Sequence, residues 1–234
     1  TTKISCSDVL FTIPGRDGEE FSYLPQIERE HSLRLSQFTL KEVIRKTIFA
    51  AALNDSNKMM GGEFVNIKGR VATFVALDGH RVAVRNMTLR EGEEDFHAII
   101  PGKTMNEISK IMEDDNEKEV ELFFSKNHVL FSFDGTLVLS RLIDGEYFKI
   151  EHMLSKDYVT RVEINRVKFL GNIDRATILI KESDHKPIVL DIRDGKLQLN
   201  ETVTLYFTNA KSPCFLRDEH DSFVYLILPV NFVA

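Results

Sequence analysis

Cysteine is scarce in this chain of 234 residues: Cys6 and Cys214 are the whole complement, far apart and without metal-ligand spacing, as suits two ordinary thiols in a reducing compartment, the cytoplasm. Long apolar runs are lacking as well. No stretch approaches the roughly 20 residues needed to cross a bilayer, and Thr1 to Ser7 lacks the basic-then-apolar pattern of a secretion signal. Paired histidines are missing: the seven present show no i+2 or i+4 partner, so a metal site is disfavoured and no cofactor is expected. Nor is there an excess of positive charge. Lys and Arg number 30 against 36 Asp and Glu, a formal net charge of -6, which on its face argues against a nucleic-acid partner. Net charge is a sum, however, and its distribution decides. What the chain does have is 43% hydrophobic residues, ample for a core in one large domain or two ordinary ones.

Three stretches have the spacing of amphipathic helices. Leu40, Val43, Ile44, Thr47, Ile48 and Ala51 form one apolar stripe, with Thr39 as an N-cap. Met105, Ile108 and Met112 form a second, with Pro101 near its start. Asn165 caps a third whose buried side is Phe169, Leu170, Ile173, Ala176 and Thr177, weakened by Gly171. Strand-like segments surround them: 63–77, broken at Lys68-Gly69, then 120–124, 129–133, 137–142, 188–191, 196–199, 203–207 and 223–228. Asp134-Gly135 and Asp194-Gly195 are hairpin turns. The fold class is α+β with antiparallel sheets.

The order of elements repeats. Strand, helix and a run of strands occur from Arg34 to Met87 and again from His97 to Tyr147. The segments VLFTIPGRDGEEF (Val9 to Phe21) and VLFSFDGTLVLSRLIDGEYF (Val129 to Phe148) end alike. The expectation is the tail of a first domain over 1–25, a complete middle domain over 26–156 and a third over 157–234, with a strand-helix segment missing between Asn200 and Glu201.

Catalytic signatures are weak. IIPGKT (Ile99 to Thr104) imitates the end of a phosphate-binding loop, but His97 stands where the required glycine belongs, so an ordinary helix start is favoured. Asp78 and His80 could serve a hydrolase only with a second carboxylate or nucleophile at a defined spacing, and a tight turn is the simpler reading. The acidic runs 91–95 and 113–121 read as solvated loops. The helix backs say more. Lys41 and Arg45, Lys103 and Lys110, and Lys168 and Arg175 place bases opposite the three apolar stripes. On one helix a solvated face is the ordinary explanation; in three equivalent positions of a repeat, they form one surface for sequence-neutral phosphate contact.

ALDGHRVAV (Ala76 to Val84), IIPGKTMNEISKIM (Ile99 to Met112), the Val129 to Phe148 segment and YLILPV (Tyr225 to Val230) together resemble the bacterial beta sliding clamp, the beta subunit of DNA polymerase III, over essentially the whole chain. The resemblance implies a non-catalytic processivity factor: a head-to-tail homodimeric ring of like domains, helices lining a hole through which double-stranded DNA threads without sequence preference. Its implied partners are the replicative polymerase catalytic subunit, the clamp loader and repair proteins. These dock a short peptide in a groove formed by Leu77, Gly79, His80, Arg81, Val82, Phe148, His152, Met153, Pro213, Leu226, Ile227, Leu228, Pro229 and Val230. Gly79 would let the backbone turn closely, with His80 and Arg81 as rim donors. Leu77, Phe148 and His152 depart from the family's usual threonine, proline and basic residue. Asn54, Lys58 and Met59 match a loop that touches DNA, and Ile178 and Leu179 match the subunit interface. A hydrolase of DNA metabolism and a clamp-like interaction module remain the alternatives.

Overall fold

The computed structural model describes residues 1–20, 27, 28, 30–52, 57–154, 156–178, 202–209, 211–218 and 220–229. An exposed hairpin of β1 (Thr2–Cys6) and β2 (Val9–Ile13) comes first. There follow β3 (His31–Ser36), α1 (Gln37–Thr47), β4 (Gly62–Leu77), β5 (Arg81–Pro101), α2 (Gly102–Ile111), β6 (Glu119–Phe124), β7 (His128–Phe133) and β8 (Thr136–Arg141). The chain continues through β9 (Thr160–Asn165), α3 (Arg166–Thr177), β10 (Thr202–Phe207), β11 (Cys214–Arg217) and β12 (Phe223–Ile227). All three helices are entered directly from a strand, as the repeat anticipates.

The first helix is capped by Ser36, not Thr39: the Ser36 side chain accepts from the Thr39 amide at 3.1 Å, and the two hydroxyls lie 2.7 Å apart. Its stripe of Leu40, Val43, Ile44 and Thr47 is buried against Met105 and Ile108 of α2 and against β3, β4, β6 and β7 in the larger apolar cluster. At the far end of α2, the Lys41 ammonium donates to the Met112 carbonyl at 3.1 Å and pairs with Asp114 at 3.0 Å. This base closes the C-terminus of the neighbouring helix, where a cation suits the helix dipole.

Gly102 lets that helix start close to the loop before β4, since an added Cβ would meet the Gly61 carbonyl oxygen at 2.9 Å. Asn165 caps α3 as anticipated, accepting from the Lys168 amide at 2.9 Å. The apolar side of α3 is not buried, however: Leu170 is 57% exposed, Thr177 is exposed, and Phe169 and Ile173 are half-buried. The principal contact of α3 is with β9.

Besides the β1–β2 hairpin, the described residues form two sheets, β3-β6-β7-β8 and β4-β5-β12-β11-β10-β9. The sequence reading broke 63–77 at Lys68-Gly69, whereas β4 runs through with a register shift there, Gly69 taking a left-handed φ of 56°. Residues 68–70 lie opposite 89–95, so the acidic run 91–95 belongs to a strand rather than a loop. Asp134 and Gly135 both take positive φ, the two-residue turn that closes β7 onto β8. The segments 188–191 and 196–199, the Asp194-Gly195 turn and the junction at 200/201 lie outside the described residues. No described helix is long and apolar enough to cross a membrane.

Candidate functional site

The edge that matters most is the one β5 shares with β12. Residues 81–85 pair with β4 on one side and with 223–227 on the other, joining segments far apart in sequence into one sheet. Val82 lies opposite both Leu77 and Leu226, and all three point to one face. There they form the floor of a second apolar cluster with Val75, Val84, Ile99, Phe215 and Val224, covered by Tyr147 and Ile150 of the segment after β8. Phe148, Leu228, Met60 and Leu154 pack at its margin, partly buried. Tyr147 stacks on Phe64 with ring centroids 4.7 Å apart, and burial pushes its hydroxyl pKa up.

One end of this shared ladder is closed by a tight turn. The Asp78 carboxylate accepts from the His80 amide at 2.8 Å, the Arg81 amide at 2.9 Å and Arg81 Nε at 2.9 Å. The Leu228 amide then donates to the His80 carbonyl at 2.9 Å, fixing the chain end beside the turn. His80 and Pro229 are exposed here, His152 and Met153 are exposed in the covering segment between Ile150 and Leu154, and Pro213, just before β11, is half-buried. Val230 lies outside the described residues.

Strand alternation separates two residues that the sequence reading had grouped with these. Arg81 and Ile227 are directly paired, and both point to the opposite face, which they share with Ala83 and Tyr225. The Arg81 guanidinium lies 6.0 Å from the Phe49 ring centroid. Gly79 also differs from expectation: a Cβ there would meet nothing within 4 Å and its φ is not left-handed, so the turn does not require glycine. Sequence reasoning missed Met60, Tyr147, Ile150, Leu154 and Phe215; the spacing of Ile150, Met153 and Leu154 was the available signal for the covering segment.

The bases singled out for DNA divide by their partners. Among the described residues Arg45, Lys58, Lys103 and Lys168 have neither a side-chain hydrogen bond nor an ion pair, and all are exposed. Lys41 is tied to the end of α2, Lys110 pairs with Glu107 at 2.9 Å, and Arg175 bonds Asn172. Met59 turns inward, onto Gly145 and the second cluster. Asn54 and Leu179 lie outside the described residues, and Ile178 is 74% exposed. Burial raises the Cys214 thiol pKa to about 11, and Cys6 is exposed, far from the site in sequence. Among the described residues no group of three or more His, Cys, Asp or Glu is arranged to hold a metal.

This arrangement has counterparts. The family model described as DNA polymerase III beta subunit, central domain, matches residues 34–149. A solved DNA polymerase III beta-subunit homologue from Eubacterium rectale is 43% identical, with a TM-score of 0.90 over 98% of this chain and 73% of that one. The chain belongs to the DNA polymerase III beta subunit, or beta sliding clamp, family. The Staphylococcus aureus beta sliding clamp is 33% identical over 201 residues, which are 86% of this chain and 53% of that relative. The solved sliding clamp of Bacillus subtilis is 27% identical, with a TM-score of 0.85 over 99% of this chain and 72% of that one. The chain spans about half the length of the curated relatives it matches. In beta-clamp terms the central-domain match covers almost all of β3 through β8, and β9 to β12, beyond the match, complete the shared sheet through the β5–β12 pairing.

Proposed function

We propose that the chain works as part of a ring-shaped processivity factor in the cytoplasm, encircling double-stranded DNA without reading its sequence. It holds the replicative polymerase, the clamp loader and repair proteins through docked peptides. Its middle domain would span 26–156 and its third domain 157–234, after the end of a first over 1–25. The ring would close as a head-to-tail homodimer, with Ile178 and Leu179 on the subunit contact.

The observation that carries this reading is the β5–β12 junction. It sets an apolar floor of Leu77, Val82 and Leu226 beneath a margin of Phe148, Met60 and Leu228, with His80, His152, Met153 and Pro229 at the opening. The floor itself is buried, so the half-buried apolar margin, with few polar groups, is the part that suits anchor side chains on an extended peptide. Arg81 and Ile227 are left out of the contact surface because they face the other way.

A hydrolytic role for Asp78 and His80 is not favoured. The Asp78 carboxylate is spent on the turn itself, accepting from the His80 and Arg81 amides and from Arg81 Nε, and among the described residues no group of three or more His, Cys, Asp or Glu is arranged to hold a metal for it. The free bases Arg45, Lys58, Lys103 and Lys168 support the DNA surface, while Lys41 serves chiefly as a structural contact.

Fluorescence anisotropy of a labelled peptide with alternating leucine and phenylalanine anchors tests the groove. Saturable binding that Leu228→Asp abolishes, in a protein that hydrolyses neither DNA nor the peptide, is the expected result. Binding indifferent to Leu228→Asp, or divalent-metal-dependent cleavage of DNA by the unaltered chain, would refute it.

A further inference from the structure

Beyond the far end of the β5–β12 ladder lies a polar chain that crosses between segments. Arg85, opposite Phe223, donates from Nη1 to Ser222 Oγ at 2.5 Å and from Nη2 to Glu42 of α1 at 3.4 Å. Ser222 spends its own proton on the Asp218 carboxylate, so its lone pairs are free to accept from Arg85. Asp218 also accepts from the Ser222 amide at 2.7 Å and the Phe223 amide at 3.2 Å, which knots the turn. Glu42 in turn pairs with Lys46 at 2.5 Å. The sequence Asp218, Ser222, Arg85, Glu42, Lys46 alternates in charge across the Ser222 hydroxyl and runs from the turn before β12 to the surface of α1. Asn86 reinforces it, its amide donating to the Ser222 carbonyl at 2.7 Å and its side chain to the Asp221 carbonyl at 3.3 Å.

The electrostatics agree with the geometry. Burial disfavours the Glu42 charge, yet the Lys46 and Arg85 cations outweigh it and hold its pKa below the usual range. Burial likewise opposes the Asp218 charge, and bonds from Ser222 and Phe223, with Arg85 nearby, reverse the effect. The Arg85 side chain is only 17% exposed. A guanidinium so placed serves as a crosslink, because its planar fork reaches two partners at fixed angles.

We infer that Arg85 is a positioning residue: it latches α1 to the turn before β12 and so sets the geometry of the peptide groove at the other end of the same ladder. The inference rests on the groove reading proposed above. The five residue pairs of the ladder, 81–85 with 223–227, are anchored at the groove end by the Leu228 amide and at the latch end by Arg85 and Asn86. Opening the latch frees β12 from one side, and peptide affinity falls in proportion to the fraction of molecules whose groove stays formed.

Hydrogen–deuterium exchange and peptide anisotropy on the full chain carrying Arg85→Met test this. The expected result is roughly five- to thirty-fold faster exchange confined to amides of 223–228, with peptide Kd weakened about threefold or more. Glu42→Gln and Ser222→Ala, which alter residues with no direct contact, should be non-additive in peptide affinity while Arg85 is present and additive in the Arg85→Met background. Unchanged exchange in β12, or exchange raised equally in β6 and β7, overturns the latch, as does faster β12 exchange with unaltered Kd. If the unaltered chain binds no peptide, the groove reading fails with it, and the exchange data still report separately on whether Arg85 holds β12.

Discussion

Glutamine in place of Glu63 removes a carboxylate buried at the seam between α1 and β4, the only buried one among the described residues. Glu63 is fully buried; Oε1 accepts from the Thr47 hydroxyl and Oε2 has no partner. Burial pushes its pKa from an ordinary 4.5 up to about 8, against a smaller opposing effect of the Thr47 bond. Between those values the folded chain holds a proton that the unfolded chain has lost, so stability is highest below pH 4.5, falls as pH rises and levels off above 8.

A gap of about 3.5 pH units, at roughly 1.4 kcal/mol each, sets a ceiling near 5 kcal/mol on the total loss. The steepest part lies near neutrality: about 2.5 kcal/mol is lost between pH 5 and 7, and about 4 kcal/mol by pH 9. Glu63→Gln keeps an oxygen for Thr47 and cannot ionise. Urea unfolding midpoints measured from pH 5 to 9 should start close together and diverge, the variant becoming the more stable by these amounts relative to pH 5. Parallel curves for the two proteins would refute the reasoning.

Four further substitutions probe other contacts. Gly79→Ala adds a methyl that meets nothing in the chain, so stability should change by less than about 0.5 kcal/mol while peptide affinity in the anisotropy assay falls; a destabilised variant would contradict the open turn. Gly102→Ala drives a Cβ to 2.9 Å from the Gly61 carbonyl oxygen, and thermal unfolding should show a loss of about 1–3 kcal/mol. Lys41→Met should cost about 0.5–1.5 kcal/mol by freeing the Met112 carbonyl, with little change in DNA affinity. Arg45→Ala should instead lower the slope of log affinity for duplex DNA against log salt by about one, without loss of stability.

The amphipathic stripes of α1 and α2 were legible because the spacing of Leu40, Val43 and Ile44, and of Met105 and Ile108, admits one buried face. The exact cap was not: Ser36 and Thr39 are both hydroxyl residues that bond each other, and only the backbone shows which ends the strand. Residues 89–95 hide a strand because Arg90 through Asp95 lack alternation; they are held extended opposite the register shift of β4. At the β5–β12 junction, local motif singled out Leu77, Val82 and Leu226, which the fold makes neighbours. It could not show that Arg81 and Ile227 turn away, since that follows from the register between strands that meet only in the fold. The Arg85–Ser222 bond joins residues 137 apart, with no local pattern at either end. On α3, a well-formed stripe and cap predicted burial that the described residues do not provide.

Residue-resolved amide shifts recorded by NMR while the leucine- and phenylalanine-anchored peptide is added test the central claim most directly. Perturbations should centre on His80, Phe148, Met153 and Leu228 and leave α3 untouched. A footprint on the β1–β2 hairpin or on the Arg81 and Ile227 face, with the β5–β12 junction silent, would contradict the account.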